Sequence, residues 1–152
     1  MSEFYGETVI TEVDSDDNGV IDTILHDYNG DGVTDKAEYD LNENGVAEST
    51  VIDQDGDGPM DSEYHDLDEN GLVEFSEHDT DGDGLRETRL FDVDGNGVAD
   101  EADIDSDGDG DIDVILRDVD GDGFADESYD INGDAGWTPV EGQVQVNPYA
   151  RG

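Results

Sequence analysis

Aspartate recurs at residues 14, 27, 40, 53, 66, 79, 92, 105 and 118, nine positions spaced by 13 without an insertion or deletion. A chain with so strict a period is built from one small unit repeated, and each unit buries its surface mainly against other units. Counting each unit from its aspartate, position 3 is Asp or Asn, position 5 is Asp or Asn, position 6 is Gly and position 9 is Asp or Glu in all nine copies. Alternate units resemble each other more than neighbours do. Position 5 is Asn18, Asn44, Asn70 and Asn96 in units one, three, five and seven, and Asp31, Asp57, Asp83 and Asp109 in the even units between. Position 4 is Gly30, Gly56, Gly82 and Gly108 in even units, against Asp17, Glu43 and Glu69 in the first three odd ones. The structural period is therefore 26 residues.

Charge explains what such a unit needs. The chain carries 46 acidic and 5 basic side chains, a formal net charge of −41, which opposes compaction unless cations are taken up. Nucleic acid and anionic membrane surfaces are repelled by that field. With 32% hydrophobic residues, burial alone does not offset the entropy of ordering the chain, so disorder is expected without a counterion. No cysteine is present, and no apolar run is long enough to cross a bilayer. The start of the chain lacks the basic and apolar regions of a signal peptide.

The oxygens of the repeat fit a hard cation. Calcium takes six to eight oxygens at about 2.3–2.6 Å, which a short loop supplies only by bending tightly around the ion. Position 1 offers Asp14, Asp27, Asp40, Asp53, Asp66, Asp79, Asp92, Asp105 and Asp118. Position 3 adds Asp16, Asn29, Asn42, Asp55, Asp68, Asp81, Asp94, Asp107 and Asp120. Position 5 adds Asn18, Asp31, Asn44, Asp57, Asn70, Asp83, Asn96, Asp109 and Asp122. The glycine at position 6 permits the sharp turn. Position 9 brings Asp22, Asp35, Glu48, Asp61, Glu74, Glu87, Asp100, Asp113 and Asp126, and position 12 is acidic at Glu38, Glu77 and Asp103. About nine calcium ions are expected, with sites that lack an acid at position 12 completed by oxygens of an adjacent unit. His26, His65 and His78 fall at position 13 of separate units and read as solvent-exposed strand residues, so a d-block metal is disfavoured.

The unit resembles an EF-hand loop, most closely at Asp66, Asp68, Asn70, Gly71, Glu74 and Glu77. Only seven residues separate one loop's glycine from the next loop's aspartate, too few for the flanking helices of an EF-hand. As a whole the array resembles thrombospondin type 3 repeats, and is similar in logic to the nonapeptide calcium β-rolls of secreted bacterial proteins. Positions 7 to 13 hold β-branched and aromatic runs such as Thr50-Val51-Ile52 and Val114-Ile115-Leu116, which suit short strands.

The expected fold is all-β: a calcium-dependent parallel β-solenoid of roll type, 26 residues per coil, with apolar position 7 lining its core. The alternative is a thrombospondin-like chain wrapped around ions with little sheet. Residues 1–13 are expected as an N-terminal cap carrying Phe4 and Tyr5, and 14–134 as the array, with a degenerate tenth unit from Asp130 to Asp134. Residues 135–152 form a C-terminal cap or tail with Trp137, Val140, Val144, Val146 and Tyr149. The expected role is a structural module stiffened by calcium, a spacer or adhesin-like element outside the cell or on its surface, with a cytoplasmic place left open. The alternative is a calcium buffer or sensor that exposes a surface to a protein partner. The acids repeat identically instead of forming one enclosed pair of unlike pKa, so an enzyme is not expected.

Overall fold

The computed structural model describes residues 8–133 and 136–147. Phe4, Tyr5, Asp134 and Tyr149 lie outside the described residues. The chain divides into two compact units, Met1–Asn70 and Gly71–Gly152. Both are all-β.

The first unit holds β1 (Val9–Val13), β2 (Thr23–Asp27), β3 (Lys36–Tyr39), β4 (Ser49–Ile52) and β5 (Ser62–His65). The second holds β6 (Phe75–His78), β7 (Thr88–Phe91), β8 (Glu101–Ile104), β9 (Val114–Arg117), β10 (Glu127–Asp130) and β11 (Thr138–Pro139). From β2 to β10 each strand begins at position 10 of a repeat, and positions 1 to 9 form the loop that follows. Within each unit successive strands pair as an antiparallel meander, with registers such as Ala37 opposite Val51 and Leu90 opposite Ala102.

The expected parallel solenoid is thus corrected: the fold is all-β, but its sheets are antiparallel. The reason lies at the neck of each loop. The amide of position 9 donates to the carbonyl just before position 1, as in Asp35 to His26 at 2.8 Å, Asp61 to Ile52 at 2.9 Å and Asp100 to Phe91 at 2.7 Å. That bond returns the chain alongside the strand it has just left, which makes a hairpin, whereas a parallel neighbour needs a crossover of a dozen or more residues. The 26-residue period is real but means an up strand and a down strand. Within each unit, odd loops therefore gather along one edge of its meander and even loops along the other.

Loops two repeats apart are joined directly. The amide of position 1 donates to the position-9 carbonyl of the preceding loop on the same edge: Asp40 to Asp22 at 2.8 Å, Asp53 to Asp35 at 2.9 Å, Asp105 to Glu87 at 2.8 Å, and Asp118 to Asp100 at 2.8 Å. Sharing of ligands between consecutive units is excluded by this topology, because consecutive loops lie on opposite edges.

The apolar interior is thin. Among the described residues the buried apolar side chains are Ala37, Val51, Leu90, Ala99, Ala102, Ala125 and Val146. Position 7 does not line a core as expected: Val20, Val33, Val46, Leu72 and Leu85 are exposed. In several loops it leans instead on the glycine of the next loop along the edge, with Leu72 Cδ2 only 3.2 Å from where a Cβ on Gly97 would stand. Among the described residues an apolar cluster lies in the second unit, where Leu90, Ala99, Ala102, Ala125 and Val146 pack with Leu116 and Val140. The C-terminal segment closes over it through Ala125 N to Val144 O at 2.8 Å and Val146 N to Gly123 O at 3.2 Å. Trp137 lies under the Arg117 guanidinium, 4.2 Å from ring centroid to Cζ.

Candidate metal centres

Each loop is folded around its own acids. The position-1 carboxylate accepts two backbone amides: Asp53 from Gly56 at 2.6 Å and Gly58 at 2.8 Å, Asp79 from Gly82 at 2.7 Å and Gly84 at 2.8 Å, Asp118 from Gly121 at 2.7 Å and Gly123 at 2.6 Å. The position-3 oxygen accepts the amide of position 5, as Asp16 does from Asn18 at 3.1 Å. The position-5 oxygen accepts the amide of position 7, as Asn96 does from Val98 at 2.7 Å. The position-9 carboxylate reaches back to the amide of position 2, as Glu48 does to Leu41 at 2.8 Å and Asp100 to Val93 at 2.6 Å. The position-6 glycines hold φ values such as +92° at Gly84 and +87° at Gly97, a region costly for any residue with a Cβ.

These bonds bring acids together. One oxygen from each member lies within 4.8 Å of the others in the sets Asp14, Asp16, Asp22; Asp53, Asp55, Asp57; Asp79, Asp81, Asp83, Glu87; and Asp92, Asp94, Asp100. That distance is about twice a calcium–oxygen bond of ~2.4 Å, so each set fits around one metal ion. The boundary between the two units falls after Asn70.

The electrostatics are those of acids crowded together. Among the described residues eight acidic residues are buried, Asp22, Glu48, Asp53, Asp79, Glu87, Asp92, Asp105 and Asp118, one more than the buried apolar residues. None of the eight is in an ion pair among the described residues, where the salt bridges use Glu38, Glu63, Glu77 and Glu101. Exposed members feel their neighbours. The pKa of Asp107 is raised chiefly by the charge of Asp109, that of Asp120 chiefly by Asp122, and that of Asp57 by desolvation and then by Asp55. Where a serine stands at position 2 the effect reverses. Ser15 donates to Asp22 and Ser106 to Asp113 from both hydroxyl and amide, which lowers each carboxyl's pKa. Glu87 Oε2 accepts the Thr80 amide at 2.6 Å, but its Oε1 is buried with no hydrogen-bond partner. A buried anionic oxygen without a donor is costly unless a cation meets it, so the residues present fit a bound metal.

Position 12 is placed elsewhere. Glu38, Glu77 and Asp103 lie within strands, where Glu38 binds Lys36 Nζ at 2.8 Å and His26 Nε2 at 2.6 Å, and Glu77 binds Arg89 Nε at 2.9 Å. Asp103 stands opposite Arg89 in the register, and desolvation raises its pKa. The histidines also differ from expectation. His78 is 1% exposed and its pKa is pushed down to about 4, mainly by burial, while His26 stacks on Tyr28 and bonds Glu38.

The sequence reading assigned no role to position 4 of the odd loops. Asp17, Glu43 and Glu69 hold left-handed φ values of 61°, 61° and 59°. Glu43 Oε1 accepts Asn18 Nδ2 at 2.6 Å, and Glu69 accepts Asn44 Nδ2 at 2.6 Å and Asn42 Nδ2 at 2.6 Å. The alternation of glycine with acid at position 4, and of Asp with Asn at position 5, was the available signal. An asparagine turns its oxygen into its own loop and its amide outward to the next, which an aspartate cannot do.

No helix among the described residues is long and apolar enough to cross a membrane. No protein-family model matches the chain, and no curated protein or solved structure matches it.

Proposed function

We propose that the chain is a non-catalytic calcium-binding repeat module that is ordered and stiffened by about nine calcium ions held in its loops. The observation that carries this is the set of eight buried loop carboxylates without a basic partner. Acids are almost never fully buried unless paired, and Lys36, Arg89 and Arg117 pair with the strand acids Glu38, Glu77 and Glu101 instead. Nine divalent ions would carry +18 against a formal −41, leaving −23, so the field is relieved without being abolished. An all-oxygen donor set matches calcium better than a d-block metal, and magnesium, which keeps several of its waters, fits a protein-rich shell less well.

The role that follows is structural: a spacer or surface element working where calcium is abundant. Several loops spend position-1 and position-9 oxygens on backbone amides, and position 12 is engaged in strand ion pairs. The expected affinity is accordingly in the range of extracellular modules, roughly 10⁻⁴–10⁻³ M, and not the 10⁻⁷–10⁻⁵ M of sensors. Calorimetric titration with calcium tests this. Saturation in the millimolar range at several ions per chain is expected. Micromolar saturation would move the role to buffer or sensor, and no heat of binding would remove the calcium reading.

A further inference from the structure

The nine loops are written in one pattern but are not equal, and loop six differs from loops one, four and seven in the acids it brings together. Its set, Asp79, Asp81, Asp83 and Glu87, brings four carboxylates to one point, where loop four brings the three of Asp53, Asp55 and Asp57. Loops one and seven reach only three because position 5 there is Asn18 or Asn96. Two of the loop-six acids, Asp79 and Glu87, are each 7% exposed. Glu87 also has the longer side chain at position 9, whereas the other even loops carry Asp35, Asp61 and Asp113 there.

The hydrogen bonds of Glu87 are divided unevenly. Oε2 takes both the amide and the hydroxyl of Thr80, at 2.6 and 3.0 Å, which fixes the carboxylate in place. Oε1 is left buried and without a donor. Held this way, Oε1 is desolvated in advance of binding, so a cation that meets it displaces no protein donor from it. Four ionised ligands also attract a divalent or trivalent hard cation more strongly than three, and partial burial reduces solvent screening of that attraction.

We propose that loop six is the first-filled and tightest site of the array, taking one hard cation, calcium or a lanthanide, through Asp79, Asp81, Asp83 and Glu87. The inference rests on the calcium reading above and adds an order of filling to it. Because Asp105 N donates to Glu87 O at 2.8 Å, an ion fixing Glu87 also fixes the start of loop eight on the same edge.

The test is calorimetric titration of the full chain with calcium, repeated for Glu87→Gln, for Glu87→Asp and for the loop-four control Asp61→Asn. Circular dichroism at saturating calcium checks that each variant is folded. The wild type is expected to show one ion bound ahead of the rest. Glu87→Gln should weaken that ion by at least about tenfold, the loss expected for one ionised ligand, and leave the weaker class in place. Glu87→Asp, if Glu87→Gln does not fold, should weaken it toward the other loops, and Asp61→Asn should leave it unchanged. A wild type that titrates as one uniform class, or a tight ion that survives both Glu87 substitutions, overturns the proposal while the calcium reading stands. A wild type that binds no calcium overturns both.

Discussion

At the residue scale the molecule is governed by what each loop position must donate or accept. Position 6 is glycine because φ is positive there, and at Gly97 a second reason is added by Leu72 Cδ2, 3.2 Å from a would-be Cβ. At Gly45, with φ of 94°, nothing lies within 4 Å of that point. Both Gly→Ala changes are expected to destabilise the calcium-loaded protein by about 1 kcal/mol from backbone strain, and Gly97→Ala by roughly a further 1 kcal/mol from crowding. Urea denaturation in saturating calcium measures the difference, and equal losses would mean that loop stacking contributes nothing. Glu43 offers a second comparison. Its left-handed backbone is a cost, and its bond to Asn18 is the compensation. Glu43→Ala keeps the cost and loses the bond, so a loss of about 1–2 kcal/mol is expected, whereas Glu43→Gly relieves the strain and should lose less. A glycine variant less stable than the alanine one would show that the backbone there is unstrained.

At the scale of elements, strand and loop divide the thirteen residues cleanly, and this division was legible in advance. The Asp, Asn and Gly positions define the loops, and the β-branched runs define the strands. The direction of the strands was not legible, because it is decided by the bond from position 9 back across the neck of the loop, a backbone contact with no side-chain signature. The same gap misplaced position 12: an acid two residues into a strand that reads as a loop ligand by EF-hand counting is drawn off by Lys36 or Arg89 on the sheet face. Position 7 was misread for a related reason, since its side chain stacks along an edge and a hairpin edge has no enclosed core. The C-terminal segment was readable as apolar but not as to what it covers. Removing residues 136–152 should uncover Leu90 and Ala102, and hydrogen exchange in β7 and β8 should accelerate by at least about tenfold in saturating calcium. Unchanged protection there would mean that Val140 and Val146 contribute little.

At the scale of the whole molecule, charge decides whether there is a fold to describe. In the proposed calcium-bound state, protons and calcium would compete for the same oxygens. Because desolvation and then neighbouring charge raise the pKa of Asp57, and neighbouring charge chiefly raises those of Asp107 and Asp120, above the ordinary 3.8, those groups protonate earlier as pH falls. Each is favoured in its neutral form by the metal-free fold, so its destabilising charge is present above the raised pKa and relieved as pH drops through it. Asp22 and Asp113 have the opposite sign, contributing stability above the ordinary value that is lost as pH falls through their lowered pKa. Apparent calcium affinity is therefore expected to decline on acidification from neutral pH before ordinary carboxylates titrate, which calorimetry at stepped pH would show. An affinity constant down to the ordinary carboxylate range would mean the crowded acids are not ligands.

The proposal that cations order this chain turns on an interior that, among the described residues, buries more acidic than apolar residues. Far-ultraviolet circular dichroism at neutral pH, recorded in a chelator and then in millimolar calcium, tests it most directly. A disordered spectrum is expected in the chelator, converting to that of an antiparallel sheet as calcium is added and reverting when it is removed. A sheet spectrum that is the same in chelator and in calcium would contradict it.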